Sequence, residues 1–280
     1  MEDGTQSIGR TIELLRVVAT RGRFGWGLTE LAAECGLNKA TTHRILSRLE
    51  RERMVERTAS GDHYILGPLL GELSLSVRGF NTFVDVSREY VTELARSQGL
   101  VGILSLLSGD HFVVSTRAAS SRLRSELNEV GARRPLISTA GGIAIVVGLP
   151  PHEQNRIIES NLGKLPAHDE IRTREYMTMW NRSRELGYGT NFEDIAIGVN
   201  AVAVPVFDKQ GSPFGSVTLS GLVAQLPVER CHALVATLNR AAEGVAQLAA
   251  ETYPALYAGR AGRATTTRVN RAASIRDPAP

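Results

Sequence analysis

Cysteine, aromatic side chains and long apolar runs are all scarce in this sequence, and each scarcity excludes something. Two cysteines in 280 residues, Cys35 and Cys231, cannot form a disulfide framework, so a reducing cytoplasm is expected. The longest apolar run, around Ala140 to Leu149, is too short to span a bilayer. The start, MEDGTQSIGR, lacks a basic segment followed by an apolar core, so neither a signal peptide nor a membrane partner is expected. Histidines at 43, 63, 111, 152, 168 and 232 are scattered without metal-ligand spacing. There is no phosphate-binding loop ending in Lys-Ser/Thr, Gly187-x-Gly189 lacks the third glycine of a dinucleotide fingerprint, and no G-x-S-x-G elbow occurs. Glu193 and Asp194 are adjacent and would project to opposite sides of an extended segment, which suits loop solvation or helix capping better than acid–base work. No cofactor, metal or catalytic group is expected.

Charge of one sign is also scarce. The formal net charge is +3, and residues 259–280 alone carry five arginines and one aspartate, so the rest of the chain sums to −1. The high isoelectric point therefore reflects a tail, not a basic surface. With 42% hydrophobic and 22% charged residues, a chain of this length is expected to fold as about two domains.

The most informative stretch runs from Leu28 to Met54. It reads as two short helices around a tight turn. Thr29 is placed to cap the first helix, on which Leu31, Ala32 and Cys35 share a side. Gly36 supplies a left-handed stop, and Asn38 caps a second helix of about fifteen residues. On that helix Thr42, Ile45, Leu46 and Leu49 form one face, and Ala40, His43, Arg44, Ser47, Arg48 and Arg51 the other. A packed helix pair with a solvated arginine row would look similar. Two short strands follow, 55–57 and 63–66, across a turn containing Gly61; they add a wing and favour a helix-turn-helix that reads the major groove. The candidate DNA-contacting residues are Thr29, Asn38, Lys39, Ala40, Thr41, His43 and Arg44, with Lys39 to Arg44 toward base edges, and Arg48 and Arg51 toward phosphate.

Either side of this stretch the pattern is plainer. Ser7 is placed to cap a helix to about Ala19 with Ile8, Ile12, Leu15 and Val18 or Ala19 inward, and 21–27 reads as a loop with three glycines. Pro68 starts a linker helix to about Gly79 with an apolar stripe of Leu69, Leu70, Leu73 and Val77. A helix over 82–98 has Val86, Tyr90, Val91 and Leu94 inward. A hairpin over 101–115 follows, then a strand at 125–130 and a small-residue helix over 138–149. Helices at about 152–162 and 173–186, a loop holding Asn191, a hairpin over 200–220 and a helix over 228–251 complete an α/β unit. Residues 253–280 read as a disordered basic tail.

Taken together, SIGRTIELL, LTELAAECGLNKATTHRILSRLE, YILGPLL, GYGTNFEDIAIGVNAVAVPVFDKQG and VTLSG resemble the IclR family of bacterial transcription regulators, from roughly Ser7 to Ala250. The resemblance implies an α+β chain: a winged helix-turn-helix (1–67), a linker helix (68–81) and a GAF-like α/β effector-binding domain (82–252). It also implies homodimers or homotetramers on a double-stranded operator, tuned by a small organic acid or aromatic compound. By resemblance the effector pocket maps to Ala140, Gly141, Asn191, Ala201, Thr218 and Ser220. Strand alternation puts Thr218 and Ser220 on one sheet face, and a helix start at Ala140 suits a carboxylate. The glyoxylate-responsive pattern can carry an acid where Asn191 stands and a cysteine where Ala201 stands, which points here to a carboxylate larger than two carbons, aromatic acids included. The linker helix is the only rigid path between domains that the sequence reveals. An enzyme turning over a small acid and a ligand-free architectural protein are the alternatives.

Overall fold

The computed structural model describes residues 3–119, 129–165 and 169–254. Helix α1 (Asp3–Val18) buries Leu14 and Val18, whereas Ile8 and Ile12 are 62% and 45% exposed. The expected inner face is thus rotated: α1 carries apolar residues on two sides, and the stripe that meets the rest of the chain wins. Ser7 lies inside the helix, where its carbonyl accepts from the Thr11 hydroxyl instead of its side chain capping.

The expected loop at 21–27 is structured. Residues 19–24 form a 3-10 turn, and β1 (Trp26–Gly27) pairs antiparallel with a later strand. Trp26 explains this: its indole is buried, its Nε1 donates to Thr20 Oγ1 at 3.2 Å, and Arg21 lies 3.6 Å over its ring. Burial of so large a side chain outweighs local glycine content. Then come α2 (Leu28–Glu34), α3 (Lys39–Arg51), β2 (Val55–Arg57) and β3 (His63–Leu66), the strands ordered β1-β3-β2. Leu14, Val18, Leu31, Leu46, Leu49, Val55 and Tyr64 close a core among them.

Helix α4 (Pro68–Leu75) starts at its proline but stops short of Gly79, and it buries none of its residues. Helix α5 (Phe80–Gln98) buries Phe83, Val91 and Leu94. Tyr90, expected inward, is 47% exposed; one edge of its ring rests on Gly244, where a Cβ would come within 2.9 Å.

The C-terminal α/β domain is built on a six-stranded antiparallel sheet ordered β6-β5-β4-β9-β8-β7. Its strands are β4 (Val101–Ser108), β5 (His111–Ala119), β6 (Arg133–Pro135), β7 (Gly189–Phe192), β8 (Val199–Phe207) and β9 (Pro213–Leu222). Period-two alternation sends Leu104, Val202, Val204, Val217 and Leu219 to one face under α5 and α9 (Val228–Thr252). Val101 and Ile103 go to the other face under α6 (Ala140–Val147), α7 (Pro151–Leu162) and α8 (Glu170–Leu186).

Asn191, expected on a loop, is on β7. β6 was not foreseen. Of the expected strand at 125–130, residues 125–128 lie outside the described residues and the last two are not in a strand; the tail from 255 onward also lies outside them. Among the described residues no helix is long and apolar enough to cross a membrane, and no group of three or more His, Cys, Asp or Glu could hold a metal ion.

Candidate DNA-reading helix and ligand cavity

The turn before α3 is built as its residues require. Gly36 sits at φ +61°, and the Leu37 amide reaches back to the Ala32 carbonyl, closing the end of α2. Asn38 Oδ1 accepts from the Thr41 amide at 2.8 Å and so caps α3. Thr29 does not cap α2: the helix begins one residue earlier, Gly27 is its cap, and Thr29 is an exposed first-turn residue.

On α3, Thr42, Leu46 and Leu49 are buried, while Lys39, Ala40, His43, Arg44, Arg48 and Arg51 are exposed. Thr41 is half-buried and faces α1, away from the outward row. Arg48 pairs with Glu52 at 2.5 Å on the surface, a contact worth at most about 1 kcal/mol and easily exchanged for a phosphate. The wing holds a residue the sequence did not single out: Arg57 donates to Tyr64 Oη at 2.6 Å and to the Gly61 carbonyl at 3.0 Å, bracing the turn. Burial pushes the Cys35 thiol up to about 11, so it stays protonated and inert.

The six residues mapped to a ligand site line one cavity of about 60 Å³, together with Ile103, Ser105, Ser138, Thr139 and three residues of the 193–199 segment. Strand register explains the convergence. Asn191, Ala201 and Ser220 stand on one rung across β7, β8 and β9, and Thr218 stands on the next between Ala203 and Ile103. The start of α6 is the facing wall. Thr139 Oγ1 takes the Gly142 amide at 3.2 Å. The amides of Ala140 and Gly141, in the first turn, have no acceptor within the helix.

The polar atoms are not equivalent. Ser220 Oγ already donates to the Asn200 carbonyl at 3.2 Å. Asn191 is also engaged: Nδ2 donates to the Val199 carbonyl and Oδ1 accepts from the Ile195 amide, so it shapes the wall. By contrast Thr218 Oγ1 and Ser216 Oγ are buried without a hydrogen-bond partner. A Cβ on residue 141 would lie 2.7 Å from Thr218 Oγ1 and 3.2 Å from Ser216 Oγ, so only glycine at 141 lets the start of α6 pack this closely on β9. Among the described residues no ionisable side chain lines the cavity.

The adjacent acids are structural. Arg182 on α8 forms a fork with Asp194, one arm at 3.1 Å, and its Nε donates to Thr190 Oγ1 at 2.9 Å. Asp194 also accepts from the Phe192 amide, and Glu193 from the Gly198 amide. The segment that walls the cavity is thereby pinned to α8. Its pairing could not be read locally because the partner is twelve positions away.

The linker helix is not the sole route between domains. Arg23 reaches Glu129 at 3.2 Å, and the 3-10 turn of residues 19–24 packs on β6. β6 runs straight into a 3-10 turn, Leu136–Ser138, and then into the cavity wall at Thr139. Asn161 braces this path, accepting from the Ile137 amide and donating to the Asp110 carbonyl. Beside it, burial and the charges of Arg133 and Lys164 pull His111 down to about 4.

A capped recognition helix with an exposed arginine row, coupled to an α/β domain enclosing an uncharged cavity, defines a helix-turn-helix transcriptional regulator. The family comparisons agree. A model of the IclR helix-turn-helix domain matches residues 7–59, and one of the bacterial transcriptional regulator IclR C-terminal domain matches residues 81–247. The chain belongs to the IclR family of DNA-binding transcriptional regulators.

A regulator from Mycobacterium tuberculosis, HTH-type transcriptional regulator Rv1719, is 32% identical over 71% of this chain and 76% of its own. The solved IclR family regulator of Brucella abortus matches at a TM-score of 0.67, with 20% identity over 86% of this chain and 92% of that one. An IclR homolog of Microbacterium hydrocarbonoxydans, solved in complex with 4-hydroxybenzoate, matches at 0.59, with 19% identity over 88% and 98%. These two structures share the fold.

Proposed function

We propose that this regulator senses a small carboxylate in the α6–sheet cavity and changes its DNA affinity in response, without turning the ligand over. The observation that carries this is the unpartnered Thr218 hydroxyl, 4% exposed, beside the helix start of α6. A buried hydroxyl without a partner costs about 1–3 kcal/mol, and a ligand that satisfies it recovers that cost. First-turn amides and the helix dipole favour an anion. The described residues that line the cavity include no general acid or base, which favours binding over catalysis.

Size narrows the expectation. A cavity of about 150 Å³ takes benzene. One of about 60 Å³ fits an aliphatic acid of a few heavy atoms, and an aromatic acid requires the cavity to widen. In this reading residues 1–67 read DNA through Lys39, Ala40, His43 and Arg44, with Arg48 and Arg51 on phosphate, residues 82–252 sense the ligand, and residues 68–81 join them. The Arg23–Glu129 contact supplies a second link, so a ligand with unequal affinity for two domain arrangements shifts the DNA equilibrium. Exposed Ile8, Ile12, Leu73, Leu75 and Val77 support self-association, which one short recognition helix needs for a two-half-site operator.

The test is calorimetry with acetate, propionate, butyrate, benzoate and 4-hydroxybenzoate on wild type and on Ser220→Leu. Binding of a short aliphatic acid, lost in Ser220→Leu, is expected. Equal binding by both proteins puts the site elsewhere.

A further inference from the structure

Between α1 and α3 runs a second cavity, an open groove of about 450 Å³ lined by Ser7, Arg10 and Thr11 on one side and Thr41, Arg44 and Arg48 on the other. Residues 7, 10, 11, 14 and 18 form one stripe of α1. Its inner end, Leu14 and Val18, is buried in the N-terminal core. Its outer end projects past that core and lays Arg10 along the flank of α3. The side chain is therefore aimed by the same packing that seats the helix. Among the described residues neither Arg10 nor Arg44 has an ion-pair partner, although nearly every other arginine from 16 to 57 has one or braces a turn.

Helical spacing places the groove relative to DNA. Ala40, Arg44, Ser47 and Arg51 form the outward row of α3, and Thr41 and Arg48 form the flank toward α1. A helix about 10–12 Å across fills a major groove about 12 Å wide. Its flanks then face the phosphates of the two strands.

We propose that Arg10 is a DNA-positioning residue: with Thr41 and Arg48 it holds a backbone phosphate of one strand in the α1–α3 groove, so α1 is a second DNA-contacting element that sets the depth and register of α3. Phosphate contacts of this kind fix orientation without reading sequence. Arg48 swings from Glu52 to the phosphate when DNA arrives. The proposal rests on α3 as the groove-reading helix, and the experiment separates the two.

Fluorescence anisotropy is measured with the full chain on two labelled duplexes of about 30 base pairs. One has random sequence and one is selected from a random pool by the wild-type protein; salt runs between about 50 and 200 mM. Arg10→Gln should weaken both duplexes by a similar factor, roughly tenfold. The slope of log affinity against log salt should become shallower by about 0.9. Arg10→Lys should keep the slope and most of the affinity, and Arg88→Gln on α5 should change neither. Circular dichroism melts check that Arg10→Gln folds. Unchanged affinity and slope in a folded Arg10→Gln, with Arg44→Ala still impaired, overturns the proposal and leaves α3 intact. A loss confined to the selected duplex also overturns it, because Arg10 would then read a base. Failure of the wild type to bind either duplex sinks both readings.

Discussion

Replacing Thr218 with valine is expected to stabilise the ligand-free protein while removing its response to carboxylate. The two side chains have nearly the same shape, so the strand keeps its packing between Ile103 and Ala203. What changes is one buried hydroxyl without a partner. Removing it recovers part of a penalty of about 1–3 kcal/mol, and the new methyl adds at most about 0.8 kcal/mol because one side still faces the cavity. A net gain of about 1–2 kcal/mol corresponds to a melting point roughly 2–8 °C higher in a chain of this size. Thermal unfolding followed by circular dichroism reads this directly. Added acid should raise the wild-type midpoint further, as mass action requires, and leave Thr218→Val unmoved. A valine variant that melts below wild type would show that the hydroxyl is already satisfied, and the idea of a donor held ready for ligand would fall.

Three other outcomes follow from the geometry. Burial, then Arg133 and Lys164, lower His111 from 6.5 to about 4, so between those pH values the unfolded chain binds a proton that the folded chain refuses. Stability should therefore fall as pH drops from about 6.5 to 4, and His111→Gln should flatten that part of the curve in urea titrations. Arg44→Ala should cost roughly 1–3 kcal/mol on the selected duplex and relax preference at one base pair, whereas Arg51→Ala should weaken all duplexes alike; anisotropy on single-base variants distinguishes the two. Arg23→Glu and Glu129→Arg should each alter DNA affinity, by no more than about fivefold because the pair is largely exposed, and the double reversal should restore it.

Local signals carried most of what was legible in the sequence. Gly36, Asn38 and the spacing of Thr42, Leu46 and Leu49 define α3 through its own backbone and one adjacent face, and all behave as their chemistry requires. The 200–220 hairpin is equally local. The misreadings arise where the deciding partner is far away in sequence. Trp26 becomes a strand because β3 offers it a neighbour nearly forty positions on. Ile8 and Ile12 lose the core to Leu14 because the 3-10 turn, α2 and β3 meet the other side of α1, and Tyr90 stays half-exposed with its ring against Gly244.

The cavity shows the same division. Family resemblance brought together Ala140, Gly141, Asn191, Ala201, Thr218 and Ser220, which one cavity does contain. Ser105, which also lines it, follows only once β4 is known to lie beside β9. That Asn191 and Ser220 are already hydrogen-bonded while Thr218 is not depends on the Val199, Ile195 and Asn200 backbones, whose positions no spacing rule supplies.

Occupancy of the α6–sheet cavity should change DNA affinity. The most direct measurement is a DNA titration of the wild-type chain on its selected duplex, with and without a saturating amount of the acid that binds tightest in calorimetry. A shift of about 5- to 150-fold, the usual range for coupled sites, is expected, with its loss in Thr218→Val. Identical titrations with and without bound acid would contradict it.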